Sequence, residues 1–186
     1  MMNAWQLNRA VRVLRQGGVI AYPTEAVWGL GCDPWNEAAV MRLLRLKRRP
    51  VDKGLILVAS SIDQVQPLLT PLTLSQRQSV MDSWPGPVTW LIPDPADMIP
   101  DWVKGRHDSV AIRVSAHPLV KHLCDAWGGP LVSTSANPSA AQPAKTNLKV
   151  KTYFGSGLDF ILNGELGGRD RPSEIRSISD FSVIRT

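Results

Sequence analysis

The sequence has only two cysteines, Cys32 and Cys124, and neither belongs to a C-x-x-C pair. This scarcity argues against a disulfide framework or a zinc site, so both residues are expected to be buried thiols. There is also no apolar run near the ~18 residues that a membrane span requires. Residues 1–6 have neither the charged flank nor the apolar stretch of a signal peptide. We therefore expect a cytoplasmic protein with no membrane partner.

Several familiar catalytic motifs are absent as well. The sequence contains no G-x-x-x-x-G-K-[ST] phosphate loop, no G-x-G-x-x-G fingerprint and no G-x-S-x-G nucleophile motif. The histidines, His107, His117 and His122, show no metal-binding spacing and are expected at the surface or in hydrogen-bonded core positions. A site in this chain would therefore orient its ligands with polar groups and positive charge.

What is present is the composition of a folded, basic protein. The 186 residues are 44% hydrophobic and 20% charged, which fits one domain, residues 1–186. The formal net charge is +5, and six cations lie between Arg42 and Lys53. Such a cluster suits nucleotide phosphates or an RNA backbone, but a solvated helix end rich in Arg and Lys would give the same pattern.

Helix and strand patterns alternate along the chain, which predicts an α/β fold. Amphipathic spacing predicts helices near 7–14, 37–48 and 118–127. Apolar or alternating runs predict strands near 19–22, 55–59, 88–92, 109–115, 131–132 and 159–162. The segment 23–31 is expected to be a loop. Strands around Ile175 and Val183 are expected to form a hairpin that turns near Asp180.

Lys47 stands where a helix should be apolar, because it continues the i, i+3, i+4 spacing of Val40, Leu43 and Leu44. The proline at position 50 ends this helix and forces Arg49 out of the helical region, so the two cations straddle the helix terminus. We interpret them as contacts for an anionic ligand. The alternative is a lysine that snorkels past the core or binds the carbonyls of the last turn.

A second polar group, Ser133, Ser135 and Asn137, follows the apolar run 130–132. These side chains should lie at the carboxyl end of a strand, where open α/β sheets bind ligands. Arg113 lies on another predicted strand, and its planar guanidinium can hold a carboxylate bidentately. The alternatives are a turn held by side-chain-to-backbone bonds for the first group and a solvent-exposed edge-strand arginine for Arg113.

Four sequence blocks occur in the order and spacing of a known family. They are Tyr22-Pro23-Thr24-Glu25, Lys47-Arg48-Arg49-Pro50, Ser109-Val110-Ala111-Ile112-Arg113-Val114 and Ser133-Thr134-Ser135-Ala136-Asn137. On these blocks the chain resembles the YrdC/TsaC family over nearly its whole length, in the short bacterial form that lacks an additional C-terminal domain. The resemblance implies an α/β fold: a twisted, mostly parallel open sheet with flanking helices and a large basic cavity. It also implies a nucleotidyltransferase that joins L-threonine, bicarbonate and ATP into L-threonylcarbamoyladenylate and pyrophosphate, for modification of tRNA next to the anticodon.

The resemblance assigns expected roles to individual residues. Threonine is expected to contact Thr24, Arg113 and Ser133. The nucleotide is expected to contact Lys47, Arg49, Ser109, Ser135, Asn137, Ser173 and Arg176, with Lys47 and Arg49 offsetting charge that develops in the reaction. Mg²⁺ is expected to be held mainly by ATP and water, without a protein metal site. The chain departs from the family pattern at Ala26, Pro138 and Glu174, which leaves roles near Ala26 and Glu174 open.

The implied partners include the proteins that later transfer the threonylcarbamoyl group to tRNA, and RNA itself through the basic surface. Two other interpretations stay open. An RNA-binding module would lose affinity steeply with salt whether or not threonine is present. A related enzyme that hydrolyses or transfers a carbamoyl-adenylate would cleave ATP without needing threonine.

Overall fold

The computed structural model describes residues 3–185, which form nine strands and seven α-helices. The helices are α1 (Ala4–Arg15), α2 (Glu37–Lys47), α3 (Gln66–Leu69), α4 (Leu74–Ser83), α5 (Asp101–Lys104), α6 (Pro118–Trp127) and α7 (Asn147–Phe154). The strands are β1 (Ile20–Pro23), β2 (Trp28–Gly31), β3 (Ile56–Ala59), β4 (Val88–Pro93), β5 (Ser109–Val114), β6 (Leu131–Ser135), β7 (Phe160–Ile161), β8 (Glu174–Ser177) and β9 (Val183–Arg185). The alternation of helix and strand patterns predicted from sequence is confirmed.

All nine strands belong to one open sheet in the order β7-β1-β2-β6-β3-β5-β4-β8-β9. The pairs β1–β7, β3–β5 and β4–β8 are parallel, and the other five pairs are antiparallel. The predicted α/β sheet is therefore present, but it is mixed, and its parallel share is smaller than the resemblance implied. Two of the antiparallel pairs follow from short turns, which join β1 to β2 and β8 to β9, because a short turn can only connect antiparallel neighbours.

Strand β2 lies in the segment 23–31 that was expected to be a loop. Its sequence, Trp-Gly-Leu-Gly, contains two glycines, which are unfavourable in a strand interior. The glycine at position 31 is required because its neighbours come close: a Cβ there would lie 2.6 Å from the carbonyl oxygen of Val132 and 2.8 Å from the ring of Tyr22. The glycines that suggested a loop are therefore present because the strands pack too closely here for a side chain.

Hydrophobic clusters cover both faces of the sheet. One includes Val40 and Leu43 of α2, packed with Leu57 and Ile112 of the central strands. The other joins α1 and α6 to residues such as Tyr22 and to alternate positions of the same strands. Both cysteines are buried, as expected, and burial raises the pKa of each thiol. No helix within residues 3–185 has the length and apolar character needed to cross a bilayer.

Helix α2 brings the first predicted motif to the sheet. Asn36 caps its first turn by accepting a hydrogen bond from the Ala39 amide at 3.1 Å. The helix ends at Lys47, and Arg48 adopts a left-handed conformation with φ of 51°. This reversal turns the chain sharply away from the helix axis, so that Lys47 and Arg49 leave α2 in different directions.

Candidate active site

A cavity of about 470 Å³ opens beside the middle of the sheet. Its walls come from the β1–β2 turn, strands β2, β5 and β6, the segment 53–56, and the C-terminal residues 169–173 and 184–185. Seven of the ten residues predicted to form the site line it: Thr24, Arg49, Ser109, Arg113, Ser133, Ser135 and Ser173. Segments that are distant in sequence thus converge on one volume.

Three predicted residues, Lys47, Asn137 and Arg176, are not among the lining residues. Lys47 and Asn137 lie behind the wall that carries Ser135. Arg176 lies on β8, where its side chain pairs with Glu174 through hydrogen bonds of 2.7 and 3.2 Å and lies over the ring of Trp90. The structure therefore separates these three from the residues that face the cavity directly.

Lys47 is buried, with 4% of its surface exposed. Its Nζ donates to the backbone carbonyls of Ser135 and Asn137, at 2.8 Å for Asn137. Burial, with a smaller effect of the neighbouring Arg49 charge, lowers the pKa of Lys47 to about 8. The lysine thus binds carbonyls, but those at the end of β6 and in the loop that follows, not those of its own last turn.

The same loop is tied to the end of α2 by further contacts. The Ser139 amide donates to the Lys47 carbonyl at 2.7 Å, and the Ser139 hydroxyl donates to the Arg48 carbonyl at 2.8 Å. Asn137 donates from Nδ2 to the Ala141 carbonyl at 2.8 Å. The two predicted motifs are therefore joined physically, and the position of Ser135 in the cavity depends on the end of α2.

Arg49 points the other way and lines the cavity. Its Nη2 donates to the Gly54 carbonyl at 2.9 Å, while its Nε is buried without a hydrogen-bond partner within residues 3–185. Burial lowers the pKa of Arg49, and nearby Asp52 offsets part of that effect. Nη1 makes no hydrogen bond within the described residues, so this nitrogen is left for a ligand in the cavity.

Arg113 is held in the cavity wall by a buried ion pair. Its Nη1 donates to Oε2 of Glu25 at 3.0 Å, and the Ser115 hydroxyl donates to Oε1 of the same carboxylate at 2.6 Å. Arg113 is 8% exposed, so the alternative of a solvent-exposed edge arginine is excluded. Neighbouring Thr24 donates from its hydroxyl to the Val27 carbonyl at 2.7 Å, which fixes the β1–β2 turn.

The cavity is strongly basic. Its described lining contains seven Lys and Arg side chains and a single acid, Glu25. The basic lining residues outside the predicted site are Lys53, Lys104, His107, Arg169, Arg171 and Arg185. Lys104 is compensated by Asp94 and Asp97. Burial lowers the pKa of Arg185, and the charges of Arg49 and Arg113 add to that effect.

Most of these cations were not predicted from the sequence. The stretch 169–176 contains three arginines after a glycine pair, and this local charge was the available signal for Arg169 and Arg171. Arg185 had no comparable signal, because only the pairing of β9 with β8 brings the chain end back to the cavity. Of the departures from the family pattern, Ala26 lines the cavity and Glu174 does not.

The residues present give a protein-bound metal little support. Within the described chain, no three His, Cys, Asp or Glu side chains cluster as metal ligands. The one lining carboxylate, Glu25, already accepts hydrogen bonds on both oxygens. Phosphate oxygens and water, which Mg²⁺ prefers in nucleotide complexes, would have to supply its ligands here.

Comparison with known proteins agrees with this arrangement. The family model for Sua5, YciO and YrdC, described as telomere recombination, matches residues 12–186. The chain belongs to this family. Proteins named threonylcarbamoyl-AMP synthase are similar over their full length: one from Stutzerimonas stutzeri is 55% identical over 185 residues, covering 100% of this chain and 99% of the relative. One from Hahella chejuensis is 53% identical over 184 residues, covering 99% and 100%.

Solved structures share the fold. The structure of P. abyssi Sua5 complexed with L-threonine superposes with a TM-score of 0.90 at 27% identity, covering 98% of this chain and 54% of that chain. This chain therefore spans about half the length of the P. abyssi protein. E. coli YciO superposes with a TM-score of 0.86 at 22% identity, covering 98% and 89%. The predicted family and its α/β fold are confirmed.

Proposed function

We propose that the chain is a threonylcarbamoyl-AMP synthase that forms L-threonylcarbamoyladenylate and pyrophosphate from L-threonine, bicarbonate and ATP. The observation that carries this proposal is the convergence of Thr24, Arg49, Arg113 and the serines of β6 on one basic cavity. The full-length similarity to proteins of that name supports the same activity. An adenylate-forming enzyme needs a site for a polyanion next to a site for an amino acid, and this cavity offers both.

The reaction requires positioning and charge more than acid–base chemistry. The α-ammonium of threonine first gives up a proton to water. The resulting neutral amine adds to the carbon of bicarbonate and water is lost, giving a carbamate. An oxygen of the carbamate then attacks the α-phosphorus of ATP in line, and pyrophosphate leaves. Such transfers are accelerated chiefly by orientation and by charges that offset the developing negative charge. Arg49, which lines the cavity, would supply that charge.

We place the nucleotide phosphates on the side of Arg49, Ser109, Ser135 and Ser173, with Mg²⁺ carried by the phosphates. Lys47 and Asn137 would support this side by holding the loop that presents Ser135. Arg176 has the weakest case, because Glu174 occupies it outside the lining. L-Threonine would lie on the side of Thr24, Arg113 and Ser133, where the guanidinium can bind its carboxylate.

We further propose partners for the reaction product and a location for the protein in the cell. The product would pass to proteins that transfer the threonylcarbamoyl group to tRNA, in the cytoplasm. The uncompensated cations around the cavity would favour contact with the RNA backbone.

Pyrophosphate release by the purified protein tests the function. We expect release only when ATP, Mg²⁺, bicarbonate and L-threonine are all present, because the carbamate is the nucleophile. Release that continues unchanged without threonine would contradict the assignment, because the nucleophile would then not be the carbamate of threonine. L-Serine should be a poorer substrate, since losing one methyl contact costs about 1 kcal/mol.

A further inference from the structure

Glu25 is the one acidic residue among the described residues that line the cavity, and sequence analysis gave it no role. It is 8% exposed and follows Thr24 in the β1–β2 turn. An acid inside a site built for polyanions works against phosphate binding, because like charges repel. Its presence therefore needs an explanation other than the nucleotide.

The carboxylate is held rigidly. Its two oxygens accept hydrogen bonds from Arg113 and Ser115 at 3.0 and 2.6 Å. Its backbone carbonyl accepts a bond from the Arg169 amide at 2.9 Å, and a Cβ at Gly167 would lie 2.9 Å from the Glu25 Cα. The segment 167–169 thus packs directly over the turn. Burial raises the pKa of Glu25, but Arg113 and Ser115 outweigh it, so the pKa lies below its usual value and the group is ionised at neutral pH.

The ion pair is also incomplete on both sides. A carboxylate has about four acceptor positions, and Glu25 uses one on each oxygen for a side-chain donor. Arg113 uses Nη1 for Glu25, and its Nη2 makes no hydrogen bond within residues 3–185. Each partner therefore keeps capacity for a ligand of opposite charge.

An amino acid has the matching pattern, with an ammonium and a carboxylate attached to the same carbon. We propose that Glu25 recognises the α-ammonium of the amino acid substrate while Arg113 binds its carboxylate, so that the pair selects an α-amino acid at this end of the cavity. This inference rests on the proposed function and names the residue that specifies its amine. Both charges of the bound zwitterion are then paired, which a site with arginine alone would not achieve.

The competing explanation is a purely structural ion pair that fixes Arg113. The two explanations differ in which ligands they affect. A structural Glu25 would act through Arg113 and weaken every ligand carrying the carboxylate. A Glu25 that binds the ammonium would weaken only ligands that carry the amine.

Titration calorimetry with three probes separates them: L-threonine, 2,3-dihydroxybutanoate, which has a hydroxyl in place of the amine, and L-threoninol, which lacks the carboxylate. The wild-type protein should bind both analogues at least tenfold more weakly than threonine. Glu25→Gln should weaken threonine and threoninol about tenfold or more, and should change the affinity for dihydroxybutanoate less than about threefold. Equal weakening of threonine and dihydroxybutanoate, or unchanged threonine binding, would overturn the proposal.

A matched control is Glu174→Gln, which removes the same charge from another Glu–Arg pair, outside the cavity lining. It should leave the affinities for all three probes unchanged. If Glu25→Gln fails to fold, Glu25→Asp keeps the charge but withdraws it by one methylene, and it should reduce the preference for threonine over dihydroxybutanoate. An unaltered preference in a folded Glu25→Asp protein would equally overturn the proposal. Failure of the wild-type protein to bind threonine at all would instead contradict the proposed function.

Discussion

Two regions of the molecule bury a cation in different ways. At the end of α2, Lys47 is 4% exposed and its Nζ donates to two backbone carbonyls, at the end of β6 and in the loop that follows. On β5, Arg113 is 8% exposed, is paired with the Glu25 carboxylate and lines the cavity. The two residues are buried to a similar degree, so burial alone does not distinguish their roles.

The two cations differ in which of their hydrogen-bond donors stay free once their contacts within the protein are formed. The Lys47 contacts are with backbone atoms that form the cavity wall, so its charge acts on the position of that wall. Arg113 lines the cavity and has one guanidinium nitrogen, Nη2, without a hydrogen bond among the described residues. We therefore infer that Lys47, at the end of α2, positions the site, and that Arg113, on β5, binds substrate.

The largest effect is expected at Arg113. Arg113→Ala removes the carboxylate contact and leaves Glu25 facing the substrate carboxylate, so threonine binding should weaken about 100-fold, or roughly 3 kcal/mol. ATP binding should change less than about threefold, because the triphosphate has other cations. Titration calorimetry with each ligand measures both effects.

Arg176→Ala is the matched control for this change, since Arg176 is also paired with a glutamate but lies outside the lining. Its threonine affinity should match that of the wild type. A folded Arg113→Ala protein that binds threonine normally would remove Arg113 from the substrate site. The two buried cations would then not differ in their roles.

A smaller effect, of a different kind, is expected at Lys47. Lys47→Met keeps the apolar stem but leaves the Asn137 carbonyl without its donor and the Ser135 carbonyl with only the Asn137 amide. We expect the free energy of unfolding to fall by about 2 kcal/mol. The loop carrying Ser135 should then be less well positioned, and turnover should fall about tenfold. Chemical denaturation and pyrophosphate release measure the two consequences.

Arg45→Met, on an exposed position of the same helix, is the control and should change neither quantity measurably. Loss of turnover with unchanged stability would show that Lys47 contacts the phosphates directly, as the sequence motif alone suggested. An increase in stability would show that the lysine is a snorkelling side chain that methionine replaces well.

The parts of the site that follow helix and strand periodicity could be predicted from sequence. The α2 stripe correctly placed Lys47 on a buried face, and strand alternation placed Arg113 on β5. The strand before Ser133 was predicted at its start, although β6 extends through Ser135. These successes depend on local rules that link side-chain direction to secondary structure.

What could not be predicted depends on contacts between distant segments. The partner of Lys47 is a loop about 90 residues away, and the partner of Arg113 lies 88 residues away in the β1–β2 turn. Neither pairing leaves a periodic signal. Strand β2 was missed for a related reason, because its glycines satisfy packing against Tyr22 and Val132 and are unfavourable for an isolated strand.

The smallest expected effect is a pH dependence that belongs to Lys47 alone. Its pKa is about 8 in the folded protein, below the ~10.4 of an exposed lysine, because burial disfavours the charged form. At pH values between about 8 and ~10.4, Lys47 keeps its proton in the unfolded chain but has released it in the folded protein. Stability from this residue should therefore rise with pH, by about 1 kcal/mol between pH 8 and pH 9.

Chemical denaturation of the wild-type and Lys47→Met proteins at pH 7, 8, 9 and 10 isolates this contribution, since all other titrating groups are common to both. The difference in unfolding free energy between the two proteins should widen as the pH rises. If the difference in unfolding free energy between the wild-type and Lys47→Met proteins does not change from pH 7 to 10, the lysine keeps its proton in the folded state. That result would require a more hydrated position for Lys47 than its buried contact with the backbone carbonyls.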